Sequence, residues 1–319
     1  MTSSTDSRTG LALLVMLGTS LFFSSNLLFG RMVIGEIAPF TLALIRWGLV
    51  AALLSPFMVR ERSAIGAILR GNAQLVCVLA FLGMVVCGAG VYVALTYTTA
   101  TNGTLIYTSS SVFIILLEAA FLGRRIGWRE AMGSAIAFLG VAAIVLRGDL
   151  SALMRLDFNW GDLIFVVAAV AWAIYSILYR TPVLSSASNL ALFALVALVA
   201  TLMLLPVAAL EFAYGATLPN TGGAWSAIGG IVVFASLLAF SGFQYGVRVL
   251  GASLTGIFMY MMPPFSVTMA VIFLGETFHA FHAVGIALVM GGVILATFPV
   301  DRMWRQPKVP STGNVSSSQ

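Results

Sequence analysis

The sequence predicts an all-α membrane protein: ten transmembrane helices, arranged as two inverted five-helix repeats around a central cavity. Three observations predict it. Apolar residues make up 60% of the chain and charged residues only 8%, whereas a soluble domain carries about 25% charged residues. The apolar runs last about 17 to 25 residues, the length that crosses a bilayer as a helix. Helices also satisfy their own backbone polar groups, which lipid cannot do. Finally, the second half of the chain resembles the first.

The spans are predicted at residues 11–31, 39–58, 73–95, 104–122, 130–147, 161–180, 189–209, 225–246, 252–274 and 281–299. Turn or charge signals separate them, among them GEIAP, RERSAIGAILRG, GRRIGWRE and YGATLPNTGG. The first run, Leu11 to Phe29, exceeds the length of a signal-peptide core and lacks a small-residue cleavage pattern before Arg31. It reads as a retained first helix. The expected organisation is an N-terminal segment 1–10, repeats 11–147 and 161–299 joined by a linker 148–160, and a polar, Ser-rich tail 300–319 expected to be disordered.

Charge placement gives an orientation. Twelve of the 16 Lys and Arg residues fall in the segments on the N-terminal side of the membrane, three fall on the other side, and Arg46 lies within a span. By the positive-inside rule both termini are expected in the cytoplasm and the linker outside.

Several chemistries find no support. The only lysine, Lys308, lies in the tail, so there is no phosphate-binding GxxxxGK[ST] loop. The only histidines, His279 and His282, fall in a short loop, away from Ser241 and without a cysteine or acidic cluster around them. That argues against a serine nucleophile with a base in reach and against a metal site. Cys77 and Cys87 are ten residues apart in one span. A helix separates them by about 15 Å, too far for a disulfide. No basic face suits nucleic acid, and no cofactor motif is present. The chain reads as not an enzyme.

The internal similarity is gapless at an offset of 152 between ATNGTLIYTSSSVFIILLEAAFLGRRIG (100–127) and ASLTGIFMYMMPPFSVTMAVIFLGETFH (252–279), and it continues with Gly133 onto Gly285 and Gly140 onto Gly292. Five helices per repeat is odd, so the second copy enters the membrane upside down. Inverted repeats of this kind characterise secondary transporters, with the solute site near the midplane between the halves.

Four stretches carry a family resemblance: TLALIRWGLVAALLSP, ALTYTTATNGTLIYTSSSVFIILLEAAFLGRR, AWAIYSILYR and GVRVLGASLTGIFMYMMPPFSVTMAVIFLGE. In this order and spacing they resemble the drug/metabolite transporter superfamily, in its EamA-type branch, and within it the YddG-type exporters of aromatic and neutral amino acids. The resemblance implies a basket of ten helices around a central cavity in the bacterial cytoplasmic (inner) membrane. Two departures stand out. The branch usually keeps a proline in helices 4 and 9 and a Gly-Glu-Arg after them. Helix 9 has Pro263 and Gly275-Glu276, but helix 4 has Ser111 and Gly123-Arg124 in those places. Helix 4 is therefore expected to offer hydroxyls in place of a kink.

The candidate lining follows from polar groups within apolar spans. In YTSSSVFIILLE, residues Tyr107, Ser110, Ser111, Ile114 and Glu118 share one helical face. That face meets either another helix or a wet cavity, because lipid penalises it. Trp172, Tyr175 and Tyr179 form a stripe in helix 6, and Asn26, Tyr92, Phe240, Gln244 and Tyr260 complete the expected solute site. Glu118 is read as a carboxylate paired with Arg124 or Arg125, or else as a proton carrier. Arg46 is read either as a cation for a substrate carboxylate or as a structural residue. Pro263 and Pro264 are read as a static kink or a hinge. The expected activity is export of amino acids and related metabolites by a single chain in the lipid bilayer. A multidrug exporter is the alternative, and a membrane enzyme or scaffold is a third reading.

Overall fold

The computed structural model describes residues 2–33, 35–98, 100–149, 159–274 and 277–297. Among them run ten long helices: α1 (Thr2–Val33), α2 (Pro39–Arg60), α3 (Arg62–Ala94), α4 (Gly103–Leu122), α5 (Trp128–Val145), α6 (Trp160–Leu178), α7 (Asn189–Ala213), α8 (Gly222–Leu250), α9 (Ala252–Phe273) and α10 (Ala280–Thr297). From α2 to α10 each is long and apolar enough to cross a membrane, and α1 adds the apolar stretch Gly10–Asn26. The expected tail and residues 150–158 of the linker lie outside the described residues.

Polar residues mark the helix starts. Asn159 and Asp162 form a reciprocal capping box at α6, and the Asp162 carboxylate also accepts from Thr98 Oγ1 at 2.5 Å. Pro39 opens α2, where a missing N–H costs nothing. The next backbone donors, Phe40 N–H and Thr41 N–H, reach across to the Glu211 carboxylate of α7 at 3.0 and 2.7 Å. At the other end of the same helix pair, Ser188 N–H donates to Glu61 at 2.7 Å. The Ser188 hydroxyl and backbone hold the Glu61 carboxyl below the usual carboxylate range. Because that folded value is depressed, this tie holds above the ordinary carboxylate pKa and is lost as pH falls through the folded one.

The segment RERSAIGAILRG, expected as a break, is largely helical. Helix α3 starts at Arg62 and bends at Asn72, whose φ/ψ of −144°/33° is not helical. Ile65 and Ile68, three apart, turn inward while the charged residues around them stay outside. The charges that marked a loop instead mark the wet face of an amphipathic helix.

The inverted repeat is visible in the packing. Helices α3 and α8 each contain a π-helical segment, Phe81–Gly90 and Ile231–Leu238. Helices α5 and α10 meet at glycines without an intervening side chain. A Cβ added at Gly140 would lie 2.7 Å from the Gly285 carbonyl oxygen, and one at Gly133 would lie 2.5 Å from that of Gly292. The sequence aligns Gly133 with Gly285 and Gly140 with Gly292. Each glycine thus touches the equivalent of its repeat partner's neighbour, which is the signature of a two-fold contact. We expect Gly140→Val to lower the melting temperature in detergent sharply. Its side chain meets backbone on the facing helix, which cannot turn aside, and overpacking of this kind costs about 1–3 kcal/mol or more.

Helices α4 and α9 are interrupted at equivalent places. Helix α9 passes through a 3-10 turn at Phe258–Met261 before Met262–Leu274, so Pro263 and Pro264 stand at the start of its second half, where proline is tolerated. Helix α4 has no proline, yet it breaks at Ser109, between Ala100–Thr108 and Ser110–Leu122. Ser109 keeps helical φ/ψ of −63°/−12° across the interruption. Ser109 N–H bonds Ile106 O at 3.1 Å, a three-residue span, and the Ser109 hydroxyl takes the same carbonyl at 2.5 Å. The serine offers the backbone a local alternative to the helix ladder.

Candidate functional site

A cavity of about 590 Å³ lies between the repeats. It reaches exposed Gly35, Thr96 and Arg147 at the end of the bundle that carries the α1–α2 and α3–α4 connections. Its depth is set by aromatic side chains. Phe23, Trp172 and Phe240 border it, and their rings meet edge to face, Phe240 standing 5.3 Å from Phe23 and 5.4 Å from Trp172. Phe243 backs Trp172 at 4.6 Å. Such edge-on contacts are favourable beyond their area, so the floor is well packed.

Arg46 reaches the cavity from α2 and is only 4% exposed. Its Nε donates to Ser236 Oγ at 2.6 Å, Nη1 to Tyr92 OH at 3.1 Å and Nη2 to Ala235 O at 3.1 Å. The Ala235 carbonyl and Ser236 belong to the π-helical part of α8. The guanidinium also lies over Trp47, 4.5 Å from its ring centre, and 5.6 Å from that of Phe240. Tyr92 passes the chain on, donating to Asn26 Oδ1 at 3.3 Å. None of these partners is a carboxylate.

The opposite end is shut. Beneath the floor, Gln244 Nε2 donates to Tyr175 OH at 2.7 Å. Tyr179 OH donates to Asn189 at 3.0 Å, and Arg248 donates to the Leu184 and Ala187 carbonyls, each at 3.0 Å. Alongside, Glu118 is 2% exposed and stands 3.6 Å from Arg124 and 3.5 Å from Arg180. Ser253 donates a short hydrogen bond to it, and Arg124 also grips Glu130 at 2.8 Å. Glu118, Arg124 and Glu130 come from the first repeat, Arg180 and Ser253 from the second.

The structure brings Asn26, Arg46, Tyr92, Tyr107, Ser110, Trp172, Phe240 and Pro263 to the cavity wall. Ser111, Tyr175, Gln244 and Tyr260, expected in the lining, stand off that wall, as do Pro264 and Glu118, expected as a hinge and a charged group. Ser111 is one residue, about 100° of helix, from Ser110, so it turns to the second repeat and donates to Gly256 O at 2.7 Å. Tyr175 and Gln244 lie about a turn beyond Trp172 and Phe240, past the floor. Tyr260 is fully buried beside α5 and α10. Glu118 is paired with Arg124, as one reading had it, but its second cation is Arg180 and not Arg125. Sequence reasoning missed Ser20 and Ser24 of α1, which donate to the Phe258 and Met262 carbonyls at the α9 interruption, at 2.7 and 2.8 Å. Their i, i+4 spacing in an apolar helix was the available signal. It also missed Ser236, which no local pattern marks.

Ten helices in two inverted repeats, with an open cavity between the halves and a sealed end, define a membrane transporter. The chain belongs to the EamA-like transporter family, whose model matches residues 10–146 and 159–298. It is 28% identical to the uncharacterized transporter YyaM of Bacillus subtilis over 89% of this chain and 92% of that protein. It is also 28% identical to the probable terminal-alkyne amino-acid exporter of Streptantibioticus cattleyicolor, over 61% of this chain and 63% of that one. A solved crystal structure superposes with a TM-score of 0.72 at 20% identity, covering 90% of this chain and 97% of the other.

Proposed function

We propose that this protein exports small amino acids and related metabolites, neutral and aromatic ones included, across the bacterial cytoplasmic membrane by alternating access. The observation that carries the reading is Arg46, a buried cation at an aromatic cavity with no carboxylate partner among the described residues. A guanidinium has five N–H donors. Three are spoken for, and the other two suit a carboxylate. Asn26 and Tyr92 stand beside it as acceptors for an amino group, and the rings of Phe23, Trp172 and Phe240 suit an apolar side chain.

With the termini in the cytoplasm, the cavity faces outward and the Glu118 cluster closes the inner end. Inward opening then separates Arg180 and Ser253 from Glu118, with the α4 and α9 interruptions as hinge points. One chain lines the whole path, so a monomer suffices. A cationic-drug exporter is disfavoured because, among the described residues, no Asp or Glu lines the cavity and Glu118 is already paired.

The test is uptake and counterflow of labelled phenylalanine, tryptophan, methionine and threonine by purified protein in liposomes. Saturable, protein-dependent flux is expected. Its absence from folded protein sinks the reading. In the same assay Ser111→Ala is expected to leave KM within about twofold while lowering the melting temperature, since Ser111 bonds backbone off the wall and a buried hydrogen bond is worth about 1 kcal/mol.

A further inference from the structure

The charge at the site has a consequence for which solutes it takes, resting on the reading of Arg46 as the carboxylate anchor. The three groups that Arg46 contacts are a hydroxyl, a phenol and a peptide carbonyl. All are neutral, so none of them offsets the charge of the guanidinium, which is 4% exposed. Among the described residues the wall carries two other basic side chains, Arg147 and His282, both at the mouth, and no Asp or Glu. A buried charge is costly unless an opposite one compensates it. A zwitterion brings no net charge, so the loaded site stays at plus one. A monoanion brings the loaded site to zero. An ammonium group finds amide and hydroxyl oxygens here but no carboxylate.

We infer that the site accepts monocarboxylates with an aromatic or branched apolar body, including the 2-oxo acid counterparts of amino acids, and carries them as net anions. The amino group is dispensable for binding. The inference also names a driving force. In a closed transport cycle the charge moved equals the charge of the solute, whatever Arg46 contributes to each half-cycle. A membrane potential negative inside drives a monoanion outward, with about 2.3 kcal/mol per charge for each 100 mV. That corresponds to a gradient of about 50-fold, reached without a coupled proton or sodium ion.

The experiment uses the full chain in liposomes with an imposed potential, positive inside by about 100 mV, set by a potassium gradient and valinomycin. The probes are labelled phenylpyruvate and labelled phenylalanine, with protein-free liposomes as the blank. Phenylpyruvate is expected to accumulate toward about 50-fold, while phenylalanine only equilibrates. Arg46→Lys, which keeps the charge and loses the fork, is expected to accumulate phenylpyruvate to the same level more slowly. Phenylalanine flux without phenylpyruvate flux overturns the inference and leaves the proposed function standing. Phenylpyruvate flux indifferent to the potential overturns the net-anion mode. Flux of neither probe overturns the amino-acid reading and the inference together.

Discussion

Replacing Arg46 with Gln is expected to raise the KM for carboxylated solutes about 10- to 100-fold. A hydrogen bond to a charged group contributes about 1.5–3 kcal/mol, and Gln offers no charge and no five-donor fork. The measurement is initial uptake into liposomes over a range of phenylalanine concentrations. A second solute separates recognition from bracing. Arg46 also holds Ser236 and the Ala235 carbonyl in the wide turn of α8, so its loss loosens that helix whatever the cavity binds. If bracing were its whole role, phenylalanine and its carboxylate-free amide would lose transport equally. If Arg46 also anchors the carboxylate, the amide loses less than phenylalanine does.

Removing Glu118 is expected to open the sealed end. Its ion pair with Arg180 links the two repeats, but the Arg180 side chain is 45% exposed, so the pair contributes no more than about 1 kcal/mol. The buried hydrogen bond from Ser253 adds about 1 kcal/mol. Together these two links between the repeats come to about 1–2 kcal/mol, roughly tenfold in the balance between closed and open inner ends, since 1.4 kcal/mol is a factor of ten. Gln244, fully buried beneath the floor, supplies the reporter. In Cys-free protein carrying Gln244→Cys, a membrane-permeant maleimide is expected to react about tenfold faster after Glu118→Ala. An unchanged rate would show that the cluster does not hold the end shut.

Most of the fold was legible in the sequence because its two determinants are local. Twenty apolar residues in a row specify a span, and a gapless offset of 152 specifies a second copy. What misled was charge near a span end: the arginines around Ile65 and Ile68 looked like a loop and proved to be one face of a helix. The turn at Ser109 of α4 was not legible either, because it goes with a bond from the Ser109 hydroxyl to the Ile106 carbonyl that composition does not reveal. The site was legible as a set of polar and aromatic residues but not by depth. Residues one turn apart, Trp172 and Tyr175, share a face, yet Trp172 forms the floor of the cavity and Tyr175 lies beneath it. Likewise the partners of Arg46 and Glu118, Ser236 and Arg180, come from the other repeat, where no sequence spacing connects them.

The two-fold contact of α5 and α10 bears on the buried Arg46 of the cavity wall. A fold with an exact axis duplicates every feature, so a pair of separate identical halves would put two arginines into one cavity, where they would repel each other. Here both halves belong to one chain, and the position at the same offset from Arg46 is Leu198. The backbone keeps the symmetry at Gly133, Gly140, Gly285 and Gly292, while the side chains are free to abandon it. Joining the halves is what allows the cavity a polarity, with a guanidinium on the wall from the first half and an apolar side chain at the same offset in the second.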